Sequence, residues 1–286
     1  MTLWTIQILN ALSYAMLLFL LAAGLTLTFG ILRIVNLAHG SLYLLGGYFG
    51  LEVVQRAGSF WLAVAVGAGS MALLGFAIQR LLLARYPGNE LAQVMLTIGC
   101  LFLLGDLALW QFGGTPQLIS PPPGFDGPVR IGGALFPLYR LLLIAIGLIV
   151  ALLLWWLIDM TRIGVMVRAS INDPETAMGL GVNVPRLMTG VFTLGALLAG
   201  AAGVIGGPLI GMYPSGDMDI LLLSLVVVIL GGMGSLRGAF LASIIVGGLD
   251  TAGKSIPALH EFSMFAIFAP MAVILIFRPK GLLGAA

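Results

Sequence analysis

Charge is what this sequence is short of. Only 8% of its 286 residues are Asp, Glu, Lys or Arg, against roughly 25% in an average soluble chain, while 60% are hydrophobic. That composition, with a mean hydropathy of +1.13, excludes a soluble globular domain. There is one cysteine, Cys100, which rules out an intrachain disulfide and makes a thiolate metal cluster implausible. It lies in an apolar run and reads as a small packing residue. The two histidines, His39 and His260, stand far apart, and there is no HExxH, no Cys/His cluster and no G-x-S-x-G. Zinc or serine chemistry therefore lacks its minimum equipment, and no cofactor is implied. The net charge of +2 comes from arginines that collect on one side of the apolar runs and does not point to nucleic acid.

What is abundant is apolar sequence in lengths that match a bilayer. About 20 apolar residues cross one, and the chain holds eight or nine such candidates. The expected fold class is all-α: a polytopic transmembrane helical bundle, one domain over residues 1–286, with one or two segments as half-helices. The first run, Leu3 to Phe29, has no basic stretch before it and continues too far for a signal peptide, so it reads as an uncleaved span. Later runs are Phe60 to Leu83, Leu91 to Phe112, Leu138 to Met160, Leu187 to Gly206, Leu221 to Leu230, Ala239 to Leu249 and Phe262 to Phe277. Between Gly30 and Gly40 the residues Arg33, Asn36 and His39 interrupt the apolar pattern before Ser41 to Val54 resumes it. Polar breaks at membrane depth survive only when buried in protein or lining a cavity. This one is either an interfacial turn or the mouth of a re-entrant segment.

The 40 glycines let backbones approach closely in a membrane. Gly67, Gly69, Ala72 and Gly75, then Gly195, Ala196, Ala199, Gly200 and Gly203, form candidate packing faces. Gly113 to Phe136 is a Pro- and Gly-rich loop, too polar to span and too short to fold alone. The string GLDTAGKS at 248–255 satisfies a phosphate-loop pattern on paper, but no strand precedes it and its context is the end of a membrane helix, so it is not read as a nucleotide site. Asp106 and Asp250 are the only intramembrane carboxylates of the kind an ion-coupled carrier needs, and both stand near span ends. A stand-alone secondary transporter or channel is therefore a weaker class, and a non-transporting membrane scaffold has no need of the polar loop at 161–186.

The one long hydrophilic interruption is Thr161 to Arg186. Ile158 to Ser170 is expected to carry the preceding helix out into water. Asn172 or Asp173 then caps a new turn with Pro174 at the first helical position, and Glu175 and Thr176 sit where the helix dipole favours acid. Gly179 and Gly181 supply positive φ to end it, and Asn183 with Pro185 starts the next helix. If every segment crosses and this loop faces inside, Arg33, Arg80, Arg85, Arg162, Arg168, Arg186, Arg237, Arg278 and Lys280 are inside while Arg56, Arg130, Arg140 and Lys254 are outside. Nine against four obeys the positive-inside rule, with the N-terminus outside.

Glu175, Ala177 and Gly181 stand at the spacing E-x-A-x-x-x-G, which resembles the cytoplasmic coupling loop of ABC importer permeases. Four blocks, GLTLTFGILRIVNLAHGSLYLLGGY, RASINDPETAMGLGVNV, GGMGSLRGAFLAS and RPKGLLG, come in the order and at distances similar to those of the branched-chain amino acid ABC transporter permease family, in the subgroup of its shorter permease subunit. The resemblance covers essentially the whole chain. It implies a non-enzymatic permease in a bacterial inner membrane that carries amino acids, branched-chain ones favoured, inward from an extracytoplasmic solute-binding protein. It also implies a second homologous permease and two ATP-binding cassette ATPase subunits. Family members also move urea, short amides and aromatic amino acids. Carried over by motif, Arg168, Asp173, Glu175, Thr176, Ala177 and Gly181 are ATPase-coupling positions. Asn36, His39, Gly40, Gly231, Gly232 and Gly234 match motif positions of the translocation path, where they either touch substrate or only shape broken helices. Glu175→Lys puts the wrong charge in the first turn of the docking helix and is expected to weaken co-purification of the ATPase while membrane insertion stays intact. Recovery of ATPase at the parent yield counts against that.

Overall fold

The computed structural model describes residues 2–131, 133–255 and 263–284; His260 and Phe262 lie outside the described residues. Among the described residues eleven α-helices follow one another: α1 (Thr2–Leu32), α2 (His39–Ala57), α3 (Phe60–Leu81), α4 (Glu90–Phe112), α5 (Leu138–Trp155), α6 (Arg162–Asn172), α7 (Pro174–Gly179), α8 (Val184–Gly206), α9 (Gly216–Gly231), α10 (Leu236–Ser255) and α11 (Ser263–Phe277). Among the described residues six helical stretches are long and apolar enough to cross a membrane by themselves: those built on α1, α3, α4, α5, α8 and α10. The other bundle helices, α2, α9 and α11, do not meet that length and composition by themselves, where the sequence predicts eight or nine segments with some half-helices. α9 has 16 residues and α11 15, and α2 carries Glu52, Gln55 and Arg56 in its last turns.

Hydropathy does not decide which helix sits at the centre. The most apolar stretch is Leu138–Met160, with mean hydropathy 3.0, yet only 22% of its most apolar window is buried; the stretch containing α1 scores 2.3 and is 94% buried. Lipid is as good a solvent for leucine as protein is, so apolar surface by itself gives no drive for helices to meet. Shape decides instead. α1 is apolar on every side, which suits a helix surrounded by others, and it packs against α5, α8, α9 and α10. α8 forms the second axis, in contact with α1, α2 and α3.

The α8 contacts run through glycines. A Cβ at Gly195 would strike the Gly24 carbonyl of α1, one at Gly200 would meet the Gly67 carbonyl of α3, and one at Gly203 would overlap the Tyr43 carbonyl of α2. Gly75 meets Ala196 in the same way. Gly69, expected on this face, has open space where its Cβ would stand, because it lies two residues from Gly67 and so on another side of the helix.

Close approaches also fix helix direction. Asn10 meets Arg140 and Met16 meets Gly147, so α1 and α5 run the same way. Leu17 with Gly206 and Gly24 with Gly195 set α8 against α1; Ala15 with Gly247 and Gly30 with Gly234 do the same for α10. The end of α5, the helices α6 and α7, and the start of α10 therefore share the arginine-rich end where α1 finishes. The start of α5 and the end of α10 lie at the opposite end.

Two expectations need correction. The stretch 113–136, read as a loop, includes most of a hairpin: β1 (Pro128–Ile131) pairs antiparallel with β2 (Ala134–Pro137), Val129 opposite Phe136 and Arg130 opposite Leu135. The cue was a Gly-Gly dipeptide at 132–133 between β-formers. Helix α5 also does not run on to Ser170. It ends in a π turn at Trp156–Met160, and Thr161 starts α6 afresh by accepting the Gly164 N–H on its side chain at 3.3 Å. Gly164 presses on the Ile158 carbonyl so closely that no side chain fits there. The string GLDTAGKS forms the last turns of α10, so it makes no phosphate loop.

Gly203→Ala is expected to force α8 off α2 and to destabilise the bundle by about 1–3 kcal/mol, the range for overpacking a tight core. Gly190→Ala, on the same helix with open space at its Cβ, should be neutral. Thermal denaturation of the two detergent-solubilised variants checks the contrast.

Candidate functional site

The arginine-rich end carries the candidate site. Asp173 caps α7, its Oδ1 accepting the Thr176 N–H at 3.0 Å and its Oδ2 accepting the Thr176 hydroxyl at 2.5 Å. Of the two capping candidates, the structure uses Asp173. Pro174 occupies the first turn, where its missing N–H leaves nothing unsatisfied. Thr176, first through its hydroxyl and then through its backbone N–H, holds the Asp173 carboxyl below the ordinary carboxylate range. Gly181 ends the segment with φ +91°, whereas Gly179 stays helical. Asn183 then caps α8 through the Arg186 N–H at 3.1 Å.

α7 packs on α6 and α8. Ala177 is buried, while Glu175, Thr176, Met178 and Leu180 are exposed. The burial of Ala177 at 2% exposure fits the small residue in the E-x-A-x-x-x-G spacing. The finger is held to the bundle by Val167 and Ile171, which pack in an apolar cluster with Leu27, Ile31 and Leu154, and by polar ties. Asp159, in the π turn, pairs with Arg168 of α6 at 3.5 Å and with Arg237 at the start of α10. Arg168 also donates to the Ile158 carbonyl, and the Arg237 guanidinium sits 5.7 Å from the Trp155 ring centroid. On the other side Arg33 donates to the Ile171 carbonyl at 2.7 Å. Arg33 itself takes φ +56°, a left-handed conformation at the turn that leaves α1. Asp159 escaped the sequence reading, although it is the only acid between Asp126 and Asp173 and stands beside Arg162 and Arg168.

The stretch after Arg33 is neither a plain interfacial turn nor a segment that returns to the end it entered. His39 Nε2 lies 2.9 Å from the Leu21 carbonyl. Since a carbonyl only accepts, Nε2 carries the proton. Leu21 precedes the end of α1 by eleven residues, about 16 Å of helix rise. The chain therefore turns back at Arg33, runs alongside α1 and begins α2 deep in the bundle; α2 then runs parallel to α8 toward the opposite end, Gly46 beside Gly200 and Gly50 beside Val204, so the break is an extended entry to a helix that goes on across. Asn36 and His39 are fully buried there, with Asn36 Oδ1 and His39 Nδ1 unpartnered among the described residues. Gly40 is required by the approach of the Asp217 backbone at the start of α9. The Ser41 hydroxyl stands 2.9 Å from Asp217 Oδ2 and 3.0 Å from the Leu101 carbonyl, joining α2, α9 and α4. Asp217 and Ser41 were also missed; a lone Ser and Asp so far apart in the chain carry no local signal.

Gly231, Gly232 and Gly234 lie elsewhere. Gly231 abuts Gly238 and Ala239, Gly232 (φ +99°) abuts Gly284 and the Lys280 carbonyl, and Gly234 (φ +84°) abuts Gly30. The tail pairs with this corner through the Leu282 N–H to Leu230 O at 2.8 Å and the Leu283 N–H to Gly231 O at 3.0 Å. Of the path candidates, then, Asn36, His39 and Gly40 come together deep in the bundle, and the glycine block forms a separate backbone junction at the arginine-rich end. No group of His, Cys, Asp and Glu that could hold a metal occurs among the described residues.

Six apolar spans among the described residues, a bundle helix that begins at depth and a small capped helix held at one end describe a polytopic helical membrane protein. The sequence pattern of the branched-chain amino acid transport system permease component family matches residues 7–275, and the chain belongs to that family. It is 26% identical to the high-affinity branched-chain amino acid transport system permease protein LivH of Escherichia coli over 93% of this chain and 90% of that one. It is 29% identical to LivM, a permease protein of the same description in the same organism, over 92% of this chain and 67% of that one. Among solved structures, PsaBC from Streptococcus pneumoniae in complex with Fab aligns with a TM-score of 0.52 at 14% identity, covering 95% of this chain and 91% of that one, which supports the fold alone.

Because the Asp173 carboxyl is held below its ordinary value, its contribution to the α7 cap is in place above the ordinary carboxylate range and is lost as pH falls through the lowered value. Amide-exchange protection at Thr176 is therefore expected to persist below the ordinary range, and Thr176→Val should move its loss upward in pH.

Proposed function

We propose that the chain is the membrane permease subunit of an ATP-driven importer that moves amino acids inward, branched-chain ones favoured, in a bacterial inner membrane. The observation that carries this is the α6–α7 finger: a capped short helix with exposed Glu175, Thr176, Met178 and Leu180, on the side that the positive-inside count makes cytoplasmic. In this reading residues 161–186 are a coupling loop within a single permease domain. Two ATP-binding cassette ATPase subunits supply the energy, and Glu175, Thr176 and the exposed apolar side chains beside them meet the ATPase. Arg168, Asp173, Ala177 and Gly181 act indirectly, by bracing and shaping the finger. Its ties to Asp159, Arg237 and Arg33 carry ATPase movement to α10 and to the junction of α1 with α2.

The membrane partner is a second, homologous permease. Similarity to both LivH and LivM, two permeases described for one system in one organism, supports a pair. Substrate arrives from an extracytoplasmic solute-binding protein at the end where α1 and α5 begin. Asn36, His39 and Gly40, at the buried start of α2, are placed along the route. Asp250 pairs with Lys254 at 2.8 Å, which leaves it poorly suited to the ion coupling of a secondary carrier.

The test is reconstitution in proteoliposomes with and without the partner permease, the ATPase subunits and the loaded binding protein. ATP-dependent uptake of L-leucine, L-isoleucine or L-valine that needs every component is the expected result. Uptake by the lone chain on an ion gradient overturns the reading, and uptake of urea, short amides or aromatic amino acids in place of branched-chain ones reassigns the cargo.

A further inference from the structure

At the end of the bundle opposite α7, a cavity of about 500 Å³ lies among the first turns of α1, the start of α5, the connection from α8 to α9, the first turns of α9 and the end of α10. Its wall is divided by chemistry. Leu209, Ile210, Ile220 and Leu223 give an aliphatic side. The remainder includes four ionisable groups, Arg140 and Lys254 of one sign and Asp219 and Asp250 of the other.

These groups are not equivalent. Lys254 Nζ lies 2.8 Å from Asp250 Oδ2 and 5.3 Å from the Tyr14 ring centroid, so that pair is already compensated. Arg140 donates to Asn10 Oδ1, and Asp219 Oδ2 accepts the Tyr213 hydroxyl at 2.8 Å. Neither Arg140 nor Asp219 has an ion-pair partner among the described residues. The cavity thus holds one uncompensated cation and one uncompensated anion, each steadied by a neutral hydrogen-bond partner, beside an aliphatic wall.

A lone anion gains from Arg140 but is repelled by Asp219, and a lone cation meets the reverse. A ligand bearing both charges and an apolar body satisfies all three surfaces. Urea and short amides use neither charge. We propose that this cavity binds an aliphatic α-amino acid as its zwitterion, carboxylate on Arg140, ammonium on Asp219, and side chain on the Leu209, Ile210, Ile220 and Leu223 wall. The guanidinium fork suits a carboxylate in particular. This assignment rests on the amino acid reading above and adds a site and a mode of recognition to it.

The test is equilibrium binding to the purified full chain of three probes: L-leucine; L-leucinamide, which lacks the carboxylate; and 4-methylpentanoate, which lacks the ammonium. Arg140→Gln is expected to weaken L-leucine about ten- to a hundredfold, the range for one charge-assisted hydrogen bond, and not to weaken L-leucinamide, whose ammonium is relieved of the Arg140 charge. Asp219→Asn should weaken L-leucine likewise and spare 4-methylpentanoate, while Arg140→Lys and Asp219→Glu recover part of each loss. No weakening, or equal weakening for all three probes, overturns the site. If the assembled transporter imports L-leucine on ATP with equal efficiency in all variants, the cavity is wrong and the importer reading stands. If the assembled parent imports no amino acid, the importer reading fails first.

Discussion

Close contact between backbones across missing side chains is what the rest of this structure depends on. In water, burial of apolar surface would draw these helices together at about 25 cal/mol per Å²; in lipid that term is nearly absent between helices. What remains is dispersion at short range, which falls away over fractions of an ångström, so helices must approach closely or gain little. Glycines at 24, 46, 67, 195, 200 and 203 permit that approach. They place α1 and α8 at the centre and leave the more apolar α5 on the outside.

Once the helices are so placed, the polar breaks follow. A chain that leaves α1 at Arg33 and begins α2 beside Leu21 must satisfy its backbone and side chains without water. It does so with the His39 to Leu21 bond, the Ser41 to Asp217 bond and the close contact of Gly40 with the Asp217 backbone. The same segment is tied outward by Arg33 to Ile171, and Asp159 links α6 to the start of α10 through two arginines. The capped finger and the turn that leads to the buried start of α2 are thus tied at Arg33 and Ile171.

Much of this was legible in the chain. The Asp-Pro-Glu-Thr sequence announces its own helix start, because capping is settled within four residues, and α3 and α4 begin and end within about two residues of the apolar runs that predict them. The corrections share a cause. The separate start of α6 depends on Gly164 meeting a carbonyl six residues earlier, the hairpin at 128–137 on pairing across a turn, and the burial of Ser41 against Asp217 on residues 176 positions apart. The cavity at Arg140 and Asp219 draws on five separate stretches of chain, none of which looks like a site alone.

The sequence by itself determined that the chain is a polytopic helical membrane protein, where α3, α4 and α7 begin, and which loop carries a capped helix, because hydropathy and capping act over a few neighbouring residues. The tertiary structure alone decided which helix is central, that α2 begins deep in the bundle, and which charges stand paired and which stand open. Those outcomes turn on contacts between distant segments, where a few tenths of an ångström at a glycine, or one arginine in reach of one aspartate, separate one arrangement from another.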